Sequence, residues 1–170
     1  MAQPQPQAQD RLQPALLDRL TDDDPDSKVE PVEMRVISRS RMREAILRDL
    51  GWLLNSTSLA GDGSFRRFPE VQRSVLNYGL PAFSGTTASS LDPLALEESV
   101  RRSIFNYEPR ILPESLKVEA VMSDRQLDHH NQISFRISGQ LWAQPVPLEL
   151  LLQTEIDLET GSVEIKDLTR

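Results

Sequence analysis

No cysteine occurs in this 170-residue chain, so disulfides are excluded and the composition suits a reducing compartment. Histidine is almost as scarce: His129 and His130 are the only two, and as neighbours in a strand they would point apart. With Asp124 and Asp128 they offer either a metal site or a polar hairpin tip, and no HExxH pattern favours the metal. No apolar run approaches the ~20 residues of a membrane-spanning helix. The opening Met-Ala-Gln-Pro-Gln-Pro-Gln has neither the basic nor the apolar region of a signal peptide. These absences lead us to expect a cytoplasmic protein with no direct membrane insertion. Gly61-Asp-Gly63 is not followed by Gly-Lys-Ser/Thr and reads as a turn rather than a phosphate cradle. No serine between Ser84 and Ser90 lies in a Gly-x-Ser-x-Gly elbow, so that stretch reads as a hinge or exposed loop. No cofactor is expected.

Proline, by contrast, is plentiful at twelve, while hydrophobic residues reach only 38%, so part of the chain is expected to be extended or ordered by partners. The organisation predicted is a disordered Gln/Pro/Ala tail over 1–13, a short helix with an acidic linker over 14–34, and one α+β domain over 35–170. The net charge of -7 conceals a contrast. Residues 10–34 carry eight acids against three bases, whereas residues 35–48 carry five arginines against one glutamate. The run Ser38-Arg-Ser-Arg-Met-Arg43 could hold nucleic acid, a solvated helix face or an acidic protein. A pI near 4.9 disfavours the first, so no nucleic-acid partner is expected.

Periodicity locates the elements. Pro14 opens a short helix with Leu16, Leu17 and Leu20 on one stripe, halted by Thr21-Asp-Asp-Asp-Pro25. Such a helix is marginal alone and needs its own domain or another chain to cover its leucines. Ser40 is expected to cap the next helix, with Met42, Ile46, Leu50, Leu53 and Leu54 as its apolar stripe. Pro69 opens a third, with Val71, Val75 and Tyr78 aligned and Gly79 as its C-terminal cap. Asp92-Pro93 starts the clearest helix, with Leu96, Val100, Ile104 and Tyr107 inward and Glu97/Arg101 and Glu98/Arg102 as i,i+4 pairs. Trp52 and Trp142 are expected as core or interface anchors.

Beyond Pro113 the period becomes two. Leu116 to Met122, Ile133 to Ile137, Leu148 to Ile156 and Val163 with Ile165 predict four strands, joined by hairpins at 124–132 and Glu159-Thr-Gly161. The fold class is therefore α+β, a mostly antiparallel sheet with helices packed on it. The last strand can lie at an edge, where it either offers unpaired backbone groups to another chain or is blocked by Glu164, Lys166 and Asp167.

Between helix and sheet stands Glu108-Pro109-Arg110. Proline ends the helix and extends the residue before it, so Glu108 and Arg110 point to the same side and can form a bidentate clamp. The pair either fixes the loop locally or receives a partner.

The order of four blocks then becomes informative. Pro14-Ala-Leu-Leu-Asp-Arg-Leu-Thr-Asp-Asp-Asp is followed by Arg48-Asp-Leu-Gly-Trp-Leu-Leu-Asn55. Phe68-Pro-Glu-Val-Gln-Arg-Ser-Val-Leu-Asn-Tyr-Gly-Leu-Pro81, Phe105-Asn-Tyr-Glu-Pro-Arg110 and a strand-rich end follow in turn. This arrangement resembles the TssE family of type VI secretion baseplate subunits, relatives of the phage-tail wedge proteins once labelled lysozyme-like. The resemblance implies a structural subunit with a sheath-handshake-like sheet, set in a baseplate docked at the inner membrane. It further implies wedge partners TssF, TssG and TssK, anchored through Leu16, Leu17, Asp18 and Leu20. The sheath subunits TssB/TssC would be met by Glu108, Pro109, Arg110, Val163 and Ile165, seeding sheath assembly at the sheet edge.

The family's older label raises the alternative of a peptidoglycan-cleaving glycoside hydrolase. That chemistry needs two carboxylates roughly 5 to 10 Å apart, one with a raised pKa. Glu108 with Glu114 or Glu119 is the conceivable set, but Arg110 beside Glu108 favours the ionised form.

Overall fold

The computed structural model describes residues 15–21, 26, 38–59, 65, 67–82, 92–121, 132–143 and 146–169. The expected tail, nearly all of the acidic linker, the Gly61-Asp-Gly63 turn, the 84–90 loop, Met122 and the connection bearing His129 and His130 lie outside those residues.

Alternating burial builds the sheet. β1 (Lys117–Val121), β2 (Gln132–Leu141), β3 (Leu148–Asp157) and β4 (Val163–Asp167) pair in sequence order, each antiparallel to the next. Phe135 and Ile137 of β2 and Leu150, Leu152 and Ile156 of β3 are buried at alternate positions. A slip of one residue would turn all of them outward, so burial fixes the register that sets Ile137 opposite Leu152. The β3–β4 turn is closed by the Asp157 carboxylate, which accepts the Glu159 and Thr160 amides at 2.8 and 2.9 Å, and by Gly161 at φ 72°.

Four helices are described: α1 (Leu16–Leu20), α2 (Arg39–Leu54), α3 (Pro69–Arg73) and α4 (Pro93–Tyr107). Met42, Ile46, Leu50 and Leu53 of α2 and Leu96, Val100 and Ile104 of α4 join one core with the buried face of the sheet. Each such side chain contributes about 1.5–3 kcal/mol on burial, several times what an exposed helical ion pair gives. The fold is α+β, as the periodicity predicts.

Three local expectations need correction. The cap of α2 is Ser38 rather than Ser40: the Ser38 hydroxyl accepts the Arg41 amide at 3.2 Å, and Ser40 already lies in the first turn. α4 does begin as expected, with the Asp92 carboxylate accepting the Leu94 amide at 3.0 Å. Its Glu97, however, leaves the surface ladder to accept the Ala120 amide of β1 at 2.6 Å, and Arg101 instead takes Glu98. A neutral amide close to the core gains more from a carboxylate than an exposed guanidinium does.

The third correction concerns α3, which stops at Arg73. Ser74 is extended, a single 3-10 turn follows over Val75–Asn77, and Val75 is exposed. Gly79 is not a helix cap but a close-approach point, at φ 118°, where a Cβ would lie 2.2 Å from the Ser56 carbonyl oxygen. The approach lets Leu80 exchange backbone hydrogen bonds with Ser56 and Ser58 behind α2.

Candidate functional site

Five charged side chains alternate in sign across α1, α2 and the turn behind α4. Asp18 accepts from Arg48 at 2.8 Å, and Arg48 also grips its neighbour Asp49 at 2.9 Å. The other oxygen of Asp49 takes Arg110 at 2.6 Å, and the Arg110 guanidinium makes two contacts with Glu108, at 2.6 and 2.5 Å. The sequence explains the last pair. Pro109 stops α4 after the Glu108 amide has reached the Ile104 carbonyl, and the turn brings the guanidinium back onto the carboxylate. The bidentate clamp therefore forms as expected, within the chain. Its β side is stitched to β2, where the Arg110 carbonyl accepts the Trp142 amide at 2.8 Å and Ile111 bridges Leu141.

Burial decides what these charges can do. Glu108 is 4% exposed, so a second chain cannot reach it directly, whereas Pro109 is exposed. Burial alone would lower the Arg110 pKa, but the hydrogen bonds and charges of Glu108 and then Asp49 outweigh it and hold the group permanently cationic. Arg48 is likewise raised, chiefly by its hydrogen bond to Asp18. Burial, followed by the negative charges of Asp49 and Glu108, pushes the Tyr78 hydroxyl up, so it stays neutral.

Around the seam lies a cleft of about 280 Å³, walled by Trp52, Tyr78, Tyr107, Pro109 and the first described residue, Ala15. The tyrosines meet edge to face at 5.3 Å. Trp52 is not core: it is 53% exposed, with the Arg48 guanidinium 5.2 Å from its ring centre. Trp142 is half-exposed as well, so both tryptophans retain only the interface half of the expectation.

α1 is held to α2 by Asp18, yet Leu16 and Leu20 are 71% and 73% exposed. The helix thus touches the domain with its polar side and turns its apolar side away. Sequence spacing found the leucines but not the tether, which joins positions thirty apart.

The sheet edges carry residues that sequence reasoning missed. At β4 the carboxamide of Asn55 donates to the Val163 carbonyl and accepts the Val163 amide, both at 2.9 Å. The opposite end of β4 is held by Arg43, bonded to Asp167 at 2.8 Å. Of the two proposed edge residues, Val163 is thus buried and occupied, while Ile165 lies between these fastenings. At β1, Glu97 occupies the Ala120 amide.

Among the described residues no helix is long and apolar enough to cross a membrane, and no group of three or more potential metal ligands gathers. Asp124, Asp128, His129 and His130 lie outside those residues.

Comparison with known proteins gives one match. Residues 40–146 fit the family of baseplate wedge protein gp25, which includes TssE. No curated protein and no solved structure matches the chain. Since the matched span runs from the first turn of α2 past the end of β2 and covers more than half of the chain, this protein belongs to the baseplate wedge protein gp25 family.

Proposed function

We propose that the chain is a non-enzymatic structural subunit of a type VI secretion baseplate, of the TssE kind, joining the wedge to the sheath in the cytoplasm at the inner membrane. Leu16, Leu17 and Leu20 enter the wedge of TssF, TssG and TssK, with Asp18 holding their helix at the domain surface. Pro109, set rigidly by Glu108 and Arg110, faces TssB/TssC together with the β4 edge at Ile165, and at Val163 once Asn55 is displaced, and that edge seeds the first sheath ring by handshake-like pairing. The observation that carries this reading is the alternating charge chain from Asp18 to Glu108, which ties the exposed anchor helix to the seam. The hydrolase alternative loses support from the same geometry. Both oxygens of Glu108 are taken by Arg110, leaving no free carboxyl to protonate a leaving group.

Co-purification with TssB/TssC and with the wedge tests the assignment, with circular dichroism as the check on folding. Leu16→Asp, Leu17→Asp and Leu20→Asp together should abolish wedge capture and spare sheath capture. Glu108→Ala with Arg110→Ala should do the reverse. Wedge capture that survives the leucine changes removes the anchor, and sheath capture that survives in a folded seam variant reduces the seam to a loop clamp.

A further inference from the structure

On the other side of Tyr107 from the seam, a groove of about 910 Å³ runs between α4 and the α3 region. Its walls are tied together. The Ser103 hydroxyl donates to the Gly79 carbonyl at 2.9 Å, and the Tyr107 hydroxyl donates to the Ser74 carbonyl at 2.8 Å. The groove is therefore preformed, and an occupant would not have to order it.

Its charge is opposite to that of the chain. Arg73, Arg101 and Arg102 line it against one carboxylate, Glu98, which is fully engaged by Arg101 at 2.7 and 2.9 Å. Among the described residues neither Arg73 nor Arg102 makes an ion pair. The segment from Ala82 to Leu91, which connects the two walls, contains no carboxylate in its sequence. Two guanidiniums thus have no carboxylate partner among the described residues, in a protein of net charge -7.

The groove also has an apolar side. Phe105 lines it at 52% exposure, and the 3-10 turn beside it exposes Val75 and Leu76. Aromatic and arginine side chains together are the composition of protein-binding hot spots. Two guanidiniums fall short of the phosphate contacts that nucleic-acid binding uses, but suffice for a pair of carboxylates.

We propose that this groove is a docking surface for an extended acidic segment of another protein, with carboxylates on Arg73 and Arg102 and an apolar side chain against Phe105. It is separate from the seam and from the anchor helix, so it holds or fails independently of the assignments made to them.

The test places benzoylphenylalanine, a photo-crosslinker, at position 105 of the full chain in its native cells and maps the adduct by mass spectrometry. The result expected is an adduct on a segment of another protein that carries Asp or Glu beside an apolar residue. Arg73→Glu with Arg102→Glu should lower its yield about tenfold or more, and Arg73→Gln with Arg102→Gln should lower it less. Melting temperature is followed so that loss of the fold is not read as loss of docking. An adduct on residues 22–33 of the same chain, on nucleic acid or on a segment without acids would overturn the proposal. So would an absent adduct, or one indifferent to charge reversal in a variant that melts normally.

Discussion

Asn55 makes with Val163 the two hydrogen bonds that a residue of an added strand would make. Its carboxamide stands in for a peptide group, donor against carbonyl and acceptor against amide. The residue that ends α2 therefore also closes one station of the β4 edge, 108 positions away. Strand pairing at β4 must begin at Ile165 or displace this side chain.

Asn55→Ala should lower stability by about 1–2 kcal/mol, because two net hydrogen bonds are lost at a partly wet edge. Urea unfolding measures the loss, and amide exchange at Val163 should quicken while that at Ile137 stays near its global value. Unchanged protection at Val163 would mean that the carboxamide does not hold the edge.

Glu108→Ala should be the costlier half of its pair, at about 3 kcal/mol or more, since it strips a half-buried guanidinium of its bidentate partner. Adding Arg110→Met should recover part of that loss. A double-mutant cycle in urea checks the coupling, and strictly additive losses would show that the two side chains act separately.

Asp157 gives a pH signature. Its pKa is lowered by the backbone amides of Thr160 and Glu159, so its folded value lies below the ordinary 3.8. A depressed folded pKa stabilises above the unfolded value and loses that contribution as pH falls through 3.8 and on through the folded value. The stability difference between the wild type and Asp157→Asn should therefore be largest near neutrality and shrink below that point. A difference independent of pH from neutrality down to 3 would assign the effect to shape rather than charge.

Two glycines should respond differently to alanine. At Gly161, φ is 72° and a Cβ meets nothing within 4 Å, so Gly161→Ala should cost about 1–2 kcal/mol of backbone strain alone. At Gly79 the new Cβ would also meet the Ser56 carbonyl, so Gly79→Ala should cost more and loosen the link between α2 and Leu80. Paired thermal melts decide the order, and equal losses would mean that the Ser56 segment yields freely.

The sheet was legible because burial on one face imposes a period of two, visible in Ile133, Phe135 and Ile137 and again from Leu150 to Ile156. α4 was legible because Asp92-Pro93 is a local start signal. The break in α3 was not: Ser74 is drawn from the helix by a tertiary bond from Tyr107, and Gly79 answers to Ser56. The helical ladder suggested by Glu97 concealed its capture by Ala120 for the same reason, since spacing along a helix says nothing of what lies across from it. Half of the seam, Glu108 with Arg110, could be read from adjacent positions. Asp49, the residue that binds it to α2, lies 61 positions from Arg110 and left no local mark.

The contact between Glu97 and Ala120 makes the two edges of the sheet unequal. The carboxylate at β1 would have to be expelled, with its charge, before a strand could pair there, whereas the plug at β4 is a neutral amide that water or another peptide can replace. The sheet is therefore sided, with a lower barrier to an added strand at β4 than at β1.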